Sequence, residues 1–156
     1  MTLLGIAITS LIGCSLFGGE ADPSQLPELS PGTYQYEEDA IFTKAEYGFD
    51  GTGKKKVQFQ LNLDKTFLMQ GYLTVDETTI QEVLSAEERG KYSQSKDTLI
   101  MSEQLLRNFN FQTSTWGAWA VPSSGEKSKS QIRNVTNNTF QIFNDEDKKW
   151  NTLAKL

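Results

Sequence analysis

The sequence predicts an all-β domain, an antiparallel barrel or sandwich of about eight to ten short strands. Beyond Pro31, apolar and polar residues alternate with period two, and turn-forming pairs such as Asp64-Lys65 and Asn137-Asn138 interrupt the alternation at short intervals. In addition, 9 Phe, 5 Tyr and 3 Trp supply the apolar volume a packed core requires.

Composition narrows the chemistry. The 156 residues carry 15 Lys+Arg against 20 Asp+Glu, a net charge of −5, which argues against nucleic acid as a partner because that affinity comes from clustered cations on phosphates. There is no histidine and one cysteine. Ser-His-Asp and Cys-His catalysis, an intrachain disulfide and a multi-Cys or Cys/His zinc site all lack their residues. The chain is therefore expected to be noncatalytic, with no catalytic residue, no metal ligand and no cofactor.

In chain order, Leu3 to Ile12 form an apolar stretch broken only by small and hydroxyl residues. It is shorter than the roughly 20 residues a spanning helix needs and matches the apolar region of a secretory signal. It ends at Leu11-Ile12-Gly13-Cys14, which resembles the lipobox of bacterial lipoproteins. The resemblance implies a signal peptide over residues 1–13, cleavage before Cys14, and a Cys14 thioether to a diacylglycerol bearing chains such as palmitate. Gly13 leaves the scissile bond accessible, and two acyl chains anchor stably where one binds only marginally. No Lys or Arg precedes the apolar stretch, as a start placed downstream of the natural one would leave it. The alternative is a buried thiol at the end of an N-terminal strand or helix. The expected partner is the membrane, through Cys14, and the expected location is the bacterial cell envelope. Ser15, rather than Asp, after the cysteine favours the outer membrane where the organism has one.

Residues 14–31 hold three of the four prolines, Pro23, Pro27 and Pro31, together with Gly18 and Gly19, the composition of a semi-stiff tether. The domain is expected over residues 32–156. Val57, Phe59, Leu61 and Leu63 alternate with polar residues, and Phe67, Met69, Gly71, Leu73 and Val75 continue the pattern beyond Asp64-Lys65, so 57–75 reads as a hairpin. Residues 79–94 read partly as strand with room for one short helix, since Ile80, Val83 and Leu84 have helical spacing. Leu105, Leu106 and Phe109 also fit one helical turn. Gly90–Ser95 and Thr98–Met101 form a second hairpin about Ser95-Lys96-Asp97. Phe109–Val121 is a long aromatic-rich segment, and Pro122-Ser123-Ser124-Gly125 is a loop. Ile132–Val135, Phe140–Phe143 and Trp150–Leu156 form a closing three-stranded meander.

Gly32-Thr33-Tyr34, Leu63-Asp64-Lys65-Thr66-Phe67, Gly90-Lys91-Tyr92 with Asp97-Thr98-Leu99, and Asn138-Thr139-Phe140 with Trp150 resemble the recurring phrases of the lipocalin-like lipoproteins of bacteria. The resemblance spans 32–156, with Tyr34 where true lipocalins place tryptophan. It implies an antiparallel up-and-down β-barrel and a small hydrophobic or amphipathic ligand.

The candidate ligand-binding residues are Phe59, Phe67, Met69, Tyr72, Phe109, Phe111, Trp116 and Trp119, which either line a cavity or fill the core. Trp116 and Trp119 have opposite parity, so both face one side of a strand only if Gly117 marks a bulge. Lys54-Lys55-Lys56 reads as a solvated loop guarding a strand edge. Glu37-Glu38-Asp39, Glu87-Glu88 and Asp145-Glu146-Asp147 lack calcium-loop spacing and read as turn and surface charge. Asn134-Val135-Thr136 and Asn137-Asn138-Thr139 match glycosylation acceptors but read as turn chemistry. Two functions follow: a lipid-anchored, ligand-binding barrel, or an envelope or surface module binding a protein partner as an assembly factor, inhibitor or host-facing antigen.

Overall fold

The computed structural model describes residues 26–44, 50–75, 81–145 and 147–156. Cys14 and the expected signal peptide lie outside them. The strands are β1 (Gly32–Phe42), β2 (Gly51–Leu61), β3 (Thr66–Val75), β4 (Gln81–Ser95), β5 (Thr98–Asn110), β6 (Thr115–Trp116), β7 (Ser128–Arg133), β8 (Thr139–Asn144) and β9 (Lys149–Lys155). They pair antiparallel in the order β4-β3-β2-β1-β9-β8-β7-β5, and β4 also pairs with β5, so eight strands close into an up-and-down barrel. The short β6 pairs with the end of β5 as an extra strand.

The β2–β3 hairpin turns at Asn62–Lys65, one residue earlier than the alternation implied. Asp64 Oδ1 accepts from Thr66 N at 3.0 Å and from Thr66 Oγ1 at 2.6 Å, while Lys65 takes a φ of 63°. Leu63, expected on the apolar face, is consequently 86% exposed. From Gln81 onward the ambiguous middle segment is all strand, and Leu105, Leu106 and Phe109 lie on β5 rather than a helical turn. Lys54–Lys56 is also strand rather than loop. It belongs to β2, which has partners on both sides and is no edge.

Two irregularities decide which side chains face inward. Between Gly71/Tyr72 on β3 and Ala86/Leu84 on β4, Ser85 is an extra residue. Opposite Gly90, β5 places two residues, Glu103 and Gln104, with Glu103 at a φ of 52°. This is a bulge, and it exchanges the inward and outward positions of β5 beyond Met101. Gly90 is required there: a Cβ on it would lie 2.5 Å from Ser102 O.

Tyr34, Phe59, Leu61, Phe67, Tyr92, Leu99, Met101, Ile132, Phe140 and Leu153 pack one end of the barrel. Tyr34 and Phe140 are fully buried with ring centroids 5.0 Å apart, and Phe59 meets Phe67 at 5.6 Å. Leu26 to Pro31, expected as tether, lie against this end. Leu29 is buried, its N–H donates to Gln94 Oε1 at 2.8 Å, Gln94 Nε2 donates to Pro27 O at 3.0 Å, and Tyr34 Oη donates to Ser30 O at 2.7 Å. Proline rules out a ladder partner but not an irregular plug. Toward the opposite end the wall is laced more loosely. Among the described residues, β1 and β9 pair only at Tyr34↔Lys155 and Gln35↔Ala154, and β7 and β8 only at Ile132↔Ile142 and Arg133↔Gln141. Beyond that seam, Lys149 on β9 forms an ion pair with Glu38 on β1.

Candidate functional site in the barrel interior

Register extends the inward face from the packed end to a polar layer. Phe67 pairs with Gly90 and Met69 with Glu88 across β3 and β4, so Glu88 shares the face of Phe67 and Met69 and points inside. Gln104, turned inward by the Glu103 bulge, is 2% exposed and donates from Nε2 to Glu88 Oε1. Ser128 on β7 pairs with the buried Met101 and shares its face. Gln104 N donates to Glu126 O at 3.2 Å, which holds the segment before β7 beside Gln104. Burial raises the Glu88 carboxyl above its ordinary value, and the Gln104 hydrogen bond offsets this only in part. Gln104 Oε1 and Ser128 Oγ are buried and have no hydrogen-bond partner among the described residues.

Above this layer the wall becomes small. Gly71 pairs with Ala86, and a Cβ on Gly71 would meet Ser85 and Ala86 at 3.6 Å or more; beyond it, away from the core cluster, Leu73 and Phe42 are buried, with the Phe42 ring against Gly53. Tyr36 and Asn151 face each other near the β1–β9 seam. Tyr36 is held above its ordinary value by burial and by Glu38 and Asp147, with Lys149 and an Asn151 hydrogen bond opposing.

Glu87, one residue away, points to the outer face and has the opposite environment. Its Oε2 accepts from Arg107 Nε at 2.7 Å and from the second guanidinium nitrogen, and its Oε1 accepts from Gln70 Nε2 at 2.9 Å. Burial pushes this carboxyl up, but the Gln70 and Arg107 hydrogen bonds and the charges of Arg107 and Arg89 outweigh it, leaving it below the usual range. Above the pair, Trp119 lies 4.3 Å from the Arg89 guanidinium and 4.7 Å from that of Arg107, while Trp116 lies 4.6 Å from Arg107. Both tryptophans lie outside despite their opposite parity because regular pairing ends at Trp116. The chain then continues along β5 through the Leu106↔Ala120 bridge.

The eight candidate residues therefore do not share one wall. Phe59, Phe67 and Met69 face inward, the first two as buried packing. Tyr72 faces outward, with Lys56 Nζ 4.5 Å from its ring. Phe109, Phe111, Trp116 and Trp119 belong to an outer cluster in which Phe109 meets Phe111 at 5.2 Å and Trp116 at 5.5 Å. An open pocket of about 530 Å³ lies among Phe109, Phe111, Trp116 and their neighbours, and a second of about 530 Å³ adjoins Arg89, Arg107 and Trp119. Glu87-Glu88, expected as turn and surface charge, lie within strand β4, and Glu88 faces inward; counting back in twos from Tyr92 through Gly90 is the signal that would have placed it. Gln104 had no such signal, because the bulge reverses the count.

No known protein-family profile matches the chain, and no curated protein matches it in sequence.

Proposed function

We propose that the chain is a membrane-anchored bacterial lipoprotein, lipidated at Cys14, whose lipocalin-like barrel is a noncatalytic module that takes up a small hydrophobic or amphipathic ligand. The ligand class comes from the resemblance to lipocalin-like lipoproteins. The closed eight-stranded barrel carries the reading, with small residues, Gly71 and Ala86, on its inner wall beside the buried rings of the core cluster. Residues 26–31 lie at the filled end, and the twelve residues from Cys14 to Leu26 reach at most about 40 Å, which bounds the distance between the anchor and the barrel.

Binding of the neutral fluorophore N-phenyl-1-naphthylamine to the purified full chain tests this. Wild type should enhance its emission, and Gly71→Leu, which adds a large side chain on the inner wall of the barrel, should weaken binding about tenfold while retaining the wild-type melting curve. No enhancement, or equal binding by Gly71→Leu, overturns the reading. Cys14→Ser should move the protein from the membrane to the soluble fraction. A second reading, an envelope interaction module, is favoured by the outer Trp116, Trp119 and Arg107 cluster, since Trp and Arg dominate binding hot spots. Loss of partner crosslinking in cells on Trp116→Ala, with fluorophore binding absent throughout, would support it instead.

A further inference from the structure

We infer that the groove on the outer face of β3, β4 and β5 binds a small organic carboxylate with a flat apolar body, the carboxylate on Arg89 and the body along Leu68, Leu105 and Trp119. The inference is independent of what the barrel interior takes up.

Register builds the groove. Leu68 on β3 pairs with Arg89 on β4, and Arg89 pairs with Leu105 on β5, so one row across the outer face reads Leu-Arg-Leu. Two strand spacings, about 10 Å, separate the leucines. The adjoining row is Gln70-Glu87-Arg107, and Trp119 stands over both arginines as a side wall. The concavity among these side chains is about 530 Å³, the size of a small-ligand site. Walled by an indole, it suits a small molecule better than the broad face of about 800 Å² that a protein partner covers.

The charges select the ligand. Arg89, Lys91 and Arg107 line the groove against only Glu87 and Glu103, in a chain whose net charge is −5. Both carboxylates are engaged. Glu87 accepts from Gln70 and from two nitrogens of Arg107, and Glu103 accepts from Lys91 at 2.8 Å. Arg89 is exposed and, among the described residues, has neither an ion pair nor a hydrogen bond. Its contact is the Trp119 ring, whose centre lies 4.3 Å from the guanidinium carbon. Stacking uses one face of the guanidinium and leaves the in-plane N–H fork free to take a carboxylate through two bonds. The leucines on either side offer apolar surface to the rest of the acid.

Isothermal titration calorimetry of the full chain at pH 7 with 2-naphthoate and its neutral counterpart 2-naphthamide tests this. Wild type should bind the carboxylate about tenfold more tightly than the amide, the ratio one charge-assisted contact sustains at an exposed site. Arg89→Gln should bring the carboxylate down to the affinity of the amide, with the fold intact by circular dichroism. Gly71→Leu, which alters the interior, should leave naphthoate affinity at the wild-type value. Absence of saturable naphthoate binding, equal affinities in wild type, or a preference that survives Arg89→Gln overturns the assignment. Loss of naphthoate binding in Gly71→Leu places the acid inside the barrel and overturns it as well. Tighter binding of the peptide acetyl-Leu-Glu-Leu-amide than of naphthoate would assign the groove to a protein partner instead. Arg89-dependent naphthoate binding without any uptake of N-phenyl-1-naphthylamine leaves the groove standing and overturns only the interior reading.

Discussion

Replacing Glu87 and Glu88 by glutamine, one at a time, should move the stability of the barrel in opposite directions at pH 7. The two carboxyls are adjacent in sequence but lie on opposite faces of β4. Glu87 accepts from Arg107 through two nitrogens and from Gln70. Hydrogen bonds to a charged group each contribute about 1.5–3 kcal/mol, but the Arg107 side chain is 31% exposed, so water recovers part of what is lost. A net loss of about 2 kcal/mol is expected for Glu87→Gln. That corresponds to a fall in Tm of about 6–10 °C for a domain of this size. Among the described residues, Glu88 has one hydrogen bond and no cationic partner to offset its burial. Glu88→Gln keeps the shape, removes the buried charge and should gain about 1 kcal/mol. The pH dependence follows from the directions of the two shifts. The Glu87 contribution is present above its ordinary value of 4.5 and is lost as pH falls through its lower folded value, so the Glu87→Gln deficit shrinks in acid. The Glu88 penalty is absent below 4.5 and grows as pH rises through its higher folded value, so the Glu88→Gln gain disappears near pH 4. Thermal unfolding of the three proteins followed by circular dichroism at pH 7, 5.5 and 4 measures both. Shifts of the same sign at pH 7, or a Glu88→Gln gain that persists at pH 4, would refute the assignment of the two faces.

Leu29→Ala should cost about 2–4 kcal/mol in the same melts, because Leu29 is 2% exposed within the core cluster, whereas a residue of a free tether would cost nothing. Trp119→Ala should remove two cation–π contacts, lower stability by about 1–2 kcal/mol, and expose the Gly117–Lys127 segment to limited proteolysis while leaving the barrel strands protected. Retention of wild-type protease resistance would show that the backbone bonds of Gly117, Ala120 and Glu126 to β5 hold that segment without Trp119.

How much was legible follows from the range of the interactions. Phe59, Phe67, Met69 and Leu73 announce their face because the alternation runs unbroken through β2 and β3, and Asp64 makes its own turn with Thr66 two residues on. The β7–β8–β9 meander is similarly local, with its turn at Thr136–Thr139 closed by a 2.8 Å bond from Thr136 N to Thr139 O. The middle of the chain was ambiguous because Ser85 interrupts the period, so that Val83 and Leu84 imitate helical spacing within a continuous strand. The aromatic run from Phe109 to Trp119 was legible as a cluster but not as an outer one.

From the sequence alone come the β class, the hairpin order, the expected anchor at Cys14 and the lack of histidine chemistry, all of which depend on residues close together in the chain. Only the tertiary structure decided that Gln104 faces inward, that Arg107 and Phe109 face outward, and that Leu29 plugs the filled end. For Leu29 the reason is a bond to Gln94, 65 residues away, and for β5 it is the single extra residue at Glu103 opposite Gly90. Because side chains on a strand alternate with a period of two, one inserted residue reverses every position beyond it. That reversal becomes visible only when β4 and β5 are paired.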